Sequence, residues 1–373
     1  MKDLKTNRGD AYAEAANTLD DKPRDFFSTS ASEDYFLAAS KGLSMPPNPP
    51  SISTVAELLL RHYGLQGEIT ALSSEAEFTA QVITWDGRSL ILKLSARAEA
   101  RDSFCFQATS IAALQDSYTF TVPTIIRTID GGLTFEEADF SGYLQTKLLG
   151  RQLHSLGANP DAYYQTGRAL AHLNLALRPL DVPGKYRPIL WHIGCWSHLT
   201  QLQQYLPTGA ISEHVRSSMS DFSKIVEPQL AMVEWQITHN DPSPHNVFFL
   251  DREVAFIDFG DGTFGPRIQD LAIAASHLVT DTNRALGGAE DLIAGYASVF
   301  ALSTLETNLL VPLMRARQSA LILVNHWRAH LFPADADYIK KNVSRAERGL
   351  SILAALAPAE AEASVLDCIR RSR

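Results

Sequence analysis

Between His239 and Asp261 two polar clusters are joined by a stretch that reads as a tight β-hairpin, and this constrains the fold more than any other part of the chain. The first cluster, His239-Asn240-Asp241-Pro242-Ser243-Pro244-His245-Asn246, has the spacing H-x-D-x-x-x-x-N. The second, Asp258-Phe259-Gly260-Asp261, begins twelve residues after Asn246. The residues between supply two short apolar runs, Asn246 to Leu250 and Val254 to Ile257, each the length of a strand. Folded back on each other, those strands bring both clusters to one end. Singly, each cluster is an ordinary polar turn; their order, separation and apolar linker together define a site.

The residue types in the clusters suit phosphoryl transfer. That reaction needs little covalent help from a protein, which must aim an attacking hydroxyl and neutralise the transferred group with metal ions. Asp241 fits the first task, because a carboxylate can accept the hydroxyl proton and orient the oxygen. Asn246 and Asp258 offer the hard oxygen ligands that Mg2+ prefers, and with it would hold the phosphates of ATP or GTP. His239 reads equally well as a structural brace for the loop and as a chemical group. Upstream, Ser89-Leu90-Ile91-Leu92-Lys93-Leu94 alternates, so that Lys93 faces away from Leu92 and Leu94, as a phosphate-contacting lysine would. The following helix, Phe104 to Leu114, carries Cys105 and Gln107 but no acid to pair with that lysine. No G-x-G-x-x-G precedes the hairpin. Leu72-Ser73-Ser74-Glu75-Ala76-Glu77-Phe78 stands there instead, and Ser73 and Ser74 read either as phosphate-covering groups or as a plain solvated turn.

Around these motifs the chain divides in three. Residues 1–50 end in Pro46, Pro47, Pro49 and Pro50 and read as a flexible N-terminal extension. Residues 51–148 alternate short β-type runs (Phe78 to Thr84, Ser89 to Leu94, Thr121 to Ile129, Gly142 to Leu148) with helices at Thr54 to Tyr63 and Phe104 to Leu114, a small nucleotide-binding N-lobe. Residues 149–373 are mainly helical, a C-lobe that holds the catalytic loop, metal site and substrate pocket. The expected class is therefore α+β and bilobal, with a small antiparallel β lobe carrying one helix and a larger helical lobe.

Bulk properties narrow the partners. A formal net charge of −9 argues against binding a nucleic-acid backbone, which needs a clustered positive field. Cys105, Cys195 and Cys368 are odd in number, far apart and free of CxxC spacing, which fits a reducing cytoplasm. No run approaches the roughly 18 apolar residues of a membrane helix.

The segments HNDPSPHNVFF and FIDFGDGTFGPRIQDLAIAAS resemble the aminoglycoside phosphotransferase and choline kinase superfamily, whose fold is protein-kinase-like. Gly167 to Leu173 is similar to that superfamily's helix before the catalytic loop, and Lys147 to Arg151 to its interlobe crossing. The second acid at Asp261, and the stretch from Arg317 to Pro333, look closest to the hydroxylysine kinase branch. Pro242 and Pro244 depart from that branch's pattern, as does Cys105 where a glutamate is usual. The resemblance implies transfer of a nucleotide γ-phosphate to a hydroxyl of a small amino-containing alcohol, a hydroxylysine-like amino acid first, in acidic surroundings suited to its ammonium groups. It points to Asp261, Asp270, Arg317, Asn325 and Trp327 as candidates for the acceptor pocket. Helix capping by Asp270, core packing by Trp327 and a salt bridge by Arg317 are the structural alternatives. Two further functions suit the same residues: a serine/threonine protein kinase, or an aminoglycoside or homoserine kinase, of this fold, and a non-catalytic nucleotide-binding domain.

Overall fold

The computed structural model describes residues 29–372 apart from Pro47, Glu75, Ala76, Ala138 and Arg252, so part of the expected N-terminal extension lies outside the described residues. Within that extension, read as flexible from its prolines, Thr29–Ser44 is a helix, α1. Phe36, Ala39 and Leu43 recur at helical spacing; Phe36 and Ala39 are buried and Leu43 packs against the main core. The prolines that follow end the helix instead of dictating the whole segment.

Helix α2 (Ile52–Tyr63) starts where Ser51 Oγ accepts from Thr54 N and stops at Gly64, whose φ of 64° closes the last turn. Its Val55, Leu58 and Leu59 cover one face of a six-stranded antiparallel sheet. The strands are β1 (Gly67–Leu72), β2 (Phe78–Thr84), β3 (Ser89–Ser95), β4 (Ile125–Ile126), β5 (Phe135–Glu137) and β6 (Phe140–Thr146), in the order β1-β2-β3-β6-β4 with β5 pairing β6. The β2–β3 register sets Phe78 opposite Leu94 and Thr79 opposite Lys93. Leu90, Leu92 and Leu94 thus join α2 in one small core, and Lys93 turns to the other side, where α3 (Ala100–Leu114) packs. The strand expected over Thr121 to Ile129 shrinks to Ile125–Ile126 plus a bridge from Thr121 to Ala255, since Pro123 has no N–H to give a ladder.

After β7 (Arg151–Gln152) the chain is mainly helical: α4 (Pro160–Leu177), a long 3₁₀ stretch (Ile193–Tyr205) and α5 (Ala210–Asp221) lead to β8 (Trp235–Thr238). The expected hairpin is present as β9 (Val247–Leu250) and β10 (Glu253–Phe256), with Val247 opposite Phe256. Strand β11 (Thr263–Pro266) returns beside β8, and α6 (Ile268–Leu278), α7 (Glu290–Ala297), α8 (Thr304–Leu331), α9 (Val343–Ala354) and α10 (Pro358–Arg371) complete the lobe. The architecture is the bilobal α+β one. Among the described residues no helix is long and apolar enough to cross a membrane.

Helices α4 and α7 approach backbone to backbone. A Cβ on Gly167 would stand 2.0 Å from Leu292 O, and one on Gly295 would stand 2.0 Å from Tyr164 O, so each helix supplies the glycine that its neighbour's carbonyl needs. Replacing Gly167 by Val forces these helices apart and is expected to cost about 3 kcal/mol or more, read as a lower denaturant midpoint; an unmoved midpoint would show that the contact carries no packing constraint.

Candidate active site

Strand β8 ends at Thr238 and delivers the first polar cluster into the cleft. Asn240 adopts φ 61°, an uncommon value for a non-glycine residue, and a buried carboxylate accounts for it. Asp270, fully buried in the first turn of α6, accepts from His239 N at 3.0 Å and Asn240 N at 2.7 Å. It also accepts from Asn174 Nδ2 at 2.7 Å. Asn174 Oδ1 takes the Tyr296 hydroxyl proton at 2.8 Å, and Tyr296 in turn accepts from Arg267 Nη1 at 2.8 Å. Asp270 is therefore neither a substrate contact nor the cap of its helix; it holds the loop backbone from beneath, out of reach of any ligand. Of its two readings, His239 takes the structural one and braces the loop: Nδ1 accepts from Asp241 N at 3.3 Å, which makes Nε2 the donor to Ile257 O at 3.0 Å. Burial lowers its pKa, consistent with a neutral ring.

The hairpin then sets Asn246 beside Asp241. Asn246 Nδ2 donates to Asp241 Oδ2 at 2.7 Å and to Asp241 O at 3.1 Å, while Ser243 Oγ lies 3.4 Å from the same carboxylate. Burial pushes the Asp241 carboxyl up; Arg317 pulls it down, and Asp261 and Asp258 add to the rise. A carboxylate held this way is a stronger proton acceptor than a solvated one.

Asp258 sits at φ 63° just after β10, at the same end of the hairpin as Asn246, with its Oδ1 on Lys93 Nζ at 2.7 Å and on Gly260 N at 3.3 Å. Its side chain is 46% exposed to the cleft. Burial would raise its pKa, but the Lys93 ammonium outweighs that and holds it below the usual carboxylate range. Lys93 is buried and would lose charge on that ground alone, yet Asp258 and Glu77 keep its pKa well above that of a free lysine. The glutamate missing from the helix is replaced by two residues. Glu77 Oε1 reaches Lys93 Nζ at 3.5 Å from the loop before β2. Gln107 Oε1, from α3, accepts from Lys93 Nζ at 3.0 Å and from Tyr143 OH at 2.9 Å, and its Nε2 donates to Glu77 Oε1 at 3.2 Å. Strand alternation carried the signal for Glu77, two residues before Thr79, which pairs with Lys93.

The cleft around these groups encloses about 1950 Å3, more than one small ligand fills, and so has space for a nucleotide and an acceptor together. Ser73 and Ser74 lie exposed along it, and Asp261, Arg317 and Asn325 line it. Trp327 does not: its indole is 8% exposed and packed in the main core. Arg317 stands 3.5 Å from Asp241 Oδ1 with its guanidinium over the Trp191 ring at 4.7 Å. Helix α1 forms a wall that the sequence reading missed. Tyr35 OH donates to Arg187 O at 2.7 Å, Arg187 Nη2 donates to Gly260 O at 2.6 Å, and Arg97 grips the end of α1 through Gly42 O at 3.0 Å.

The donor set fits a hard divalent cation. Asn246 spends its Nδ2 on Asp241, which leaves Oδ1 open, and Asp258 spends Oδ1 on Lys93 and Gly260, which leaves Oδ2 toward the cleft. Among the described residues no group of three His, Cys, Asp or Glu side chains could cage a metal, so phosphate and water oxygens would share its coordination.

The profile of the Phosphotransferase enzyme family matches residues 68–303. Among curated relatives, hydroxylysine kinase of Xenopus laevis is 22% identical over 57% of this chain and 61% of its own length. That of Danio rerio is 22% identical over 84% of this chain and 94% of its own length. An amicoumacin kinase solved with AMP-PNP and Ca2+ superposes with a TM-score of 0.61 at 15% identity, over 79% of this chain and 94% of that one. A microcompartment-associated aminopropanol kinase gives 0.54 at 18%, over 86% and 100%. The hairpin-borne loop, the lysine cradle and the profile that spans both lobes agree, and the chain belongs to the phosphotransferase enzyme family.

Proposed function

We propose that this enzyme transfers the γ-phosphate of ATP or GTP to the hydroxyl of a small amino-containing alcohol in the cytoplasm, with a hydroxylysine-like amino acid as the favoured acceptor. The observation that carries the reading is the meeting of Asp241, Asn246 and Asp258, from one hairpin, with Lys93, from strand β3, in one cleft. In this reading Asp241 aims the acceptor oxygen at the γ-phosphorus and takes its proton as the new O–P bond forms and the bond to the leaving nucleoside diphosphate breaks. Asn246 and Asp258 hold Mg2+, which neutralises charge on the phosphates. Lys93 contacts phosphate, with Ser73 and Ser74 over it from the β1–β2 loop. Similarity to hydroxylysine kinases over most of the Danio rerio protein supports the acceptor class, as does the likeness in fold to an aminopropanol kinase.

The test is a transfer assay with Mg2+ and ATP or GTP across hydroxylysine, homoserine, choline, ethanolamine, an aminoglycoside and a protein substrate. Asp241→Asn is expected to lower turnover by roughly 10²- to 10⁴-fold while nucleotide binding stays near that of wild type; undiminished turnover would remove Asp241 from the role of base. Transfer to protein alone would favour a protein kinase, and nucleotide binding without any transfer would favour a non-catalytic domain. Lys93→Met removes the counter-charge of Asp258 and Glu77 and is expected to weaken nucleotide binding at least about tenfold, measured by titration with AMP-PNP. Unchanged affinity would confine Lys93 to a structural ion pair.

A further inference from the structure

One end of the cleft carries positive charge and donor groups that the protein itself does not satisfy. Arg317, on α8, is 6% exposed and has one ion-pair partner among the described residues, Asp241, while its Nε and Nη1 have no hydrogen-bond partner. His277, at the end of α6, is 7% exposed, and neither of its ring nitrogens is hydrogen-bonded; Nε2 stands 4.0 Å from Asp241 Oδ1. Behind it Arg345, on α9, donates to His277 O at 3.0 Å, and its pKa is lowered to about 10 by burial and then by Arg317. Asn325 and Lys341 line the same cleft. Buried guanidinium N–H groups without acceptors are costly, and those of Arg317 face the cleft beside a half-buried Arg345, with Asp241 and Asp261 as the nearby carboxylates.

We propose that this end is a carboxylate subsite, in which Arg317, with His277 beside the same Asp241 oxygen, receives the carboxylate of an acceptor whose hydroxyl is presented to Asp241. This rests on the proposed reading of Asp241 as the acceptor-facing base and deepens it: the acceptor is a hydroxy amino acid or hydroxy acid, not a plain amino alcohol such as ethanolamine or choline. The guanidinium suits the task because its planar fork matches a carboxylate with two parallel hydrogen bonds.

The test is calorimetric titration in the presence of Mg2+ and AMP-PNP with matched acids and amides: serine and serinamide, homoserine and homoserinamide, hydroxylysine and hydroxylysinamide. At least one acid is expected to bind roughly 10- to 100-fold more tightly than its amide, with Arg317→Gln erasing that difference. No discrimination in any pair, or discrimination that survives in folded Arg317→Gln, would overturn the subsite. Should Arg317→Gln fail to fold, the wild-type pairs decide, and Arg317→Lys, which keeps the charge without the fork, is expected to narrow the gap. Phosphate transfer is measured separately. Acid preference without transfer would retain the subsite and remove the phosphotransfer reading, whereas transfer without acid preference would do the reverse.

Discussion

The cleft depends on one buried carboxylate that never meets a ligand. Asp270 is wholly enclosed, and an enclosed carboxylate is tolerable only when its lone pairs are occupied. Two of its partners are the consecutive backbone N–H groups of His239 and Asn240, so satisfying Asp270 and shaping the loop are one event. The third, Asn174, links to Tyr296 and then to Arg267, which is paired with Glu306 and stacked 3.8 Å from the Phe300 ring. Helices α4, α6, α7 and α8 thereby converge on the loop. Asp241 inherits its position from residues in the core, and the unusual backbone at Asn240 is held by that network and not by anything in the cleft.

Charge is distributed unevenly along the same cleft. Toward the sheet, Asp258, Glu77 and Asp261 surround Lys93 and Arg187, an arrangement that a divalent cation and a polyphosphate would each complete. Toward α8 and α9 the balance shifts, with Arg317 facing Asp241 and Asp261 and with Arg345 behind it. Asp241 lies at the junction, where proton acceptance would have to occur. The two ends call for ligands of different charge, which gives the cleft a direction before anything binds.

How far this was readable beforehand follows from the range of each interaction. The Asp241, Asn246 and Asp258 constellation was legible because one hairpin carries it, and hairpin register is a local property. Lys93 was legible from alternation within β3. Gln107 was visible only as a missing acid, since its tie to Lys93 and Tyr143 appears once the sheet and α3 are assembled. Asp270 read as a cap because a carboxylate in a first helical turn usually serves there; its real partners lie 30 and 31 residues upstream and, at Asn174, 96 residues upstream. Trp327 shares a helix with Arg317 and Asn325, but ten positions from Arg317 its side chain enters the core.

Helix α1 joins both lobes. Its C-terminal end is held by Arg97, just beyond β3 in the small lobe, through the carbonyls of Gly42, Met45 and Pro46. Its middle is held by Tyr35 on the Arg187 carbonyl in the large lobe, with Phe36 stacked on His198 at 5.4 Å. The covalent crossing near Gly150 is one tether between the lobes, and α1 is a second. Two bodies joined at one point can twist, slide and open about any axis, and each further tether removes part of that freedom. Any opening that parts Arg97 from Gly42 or Tyr35 from Arg187 breaks a hydrogen bond of α1, so the helix resists widening of the cleft.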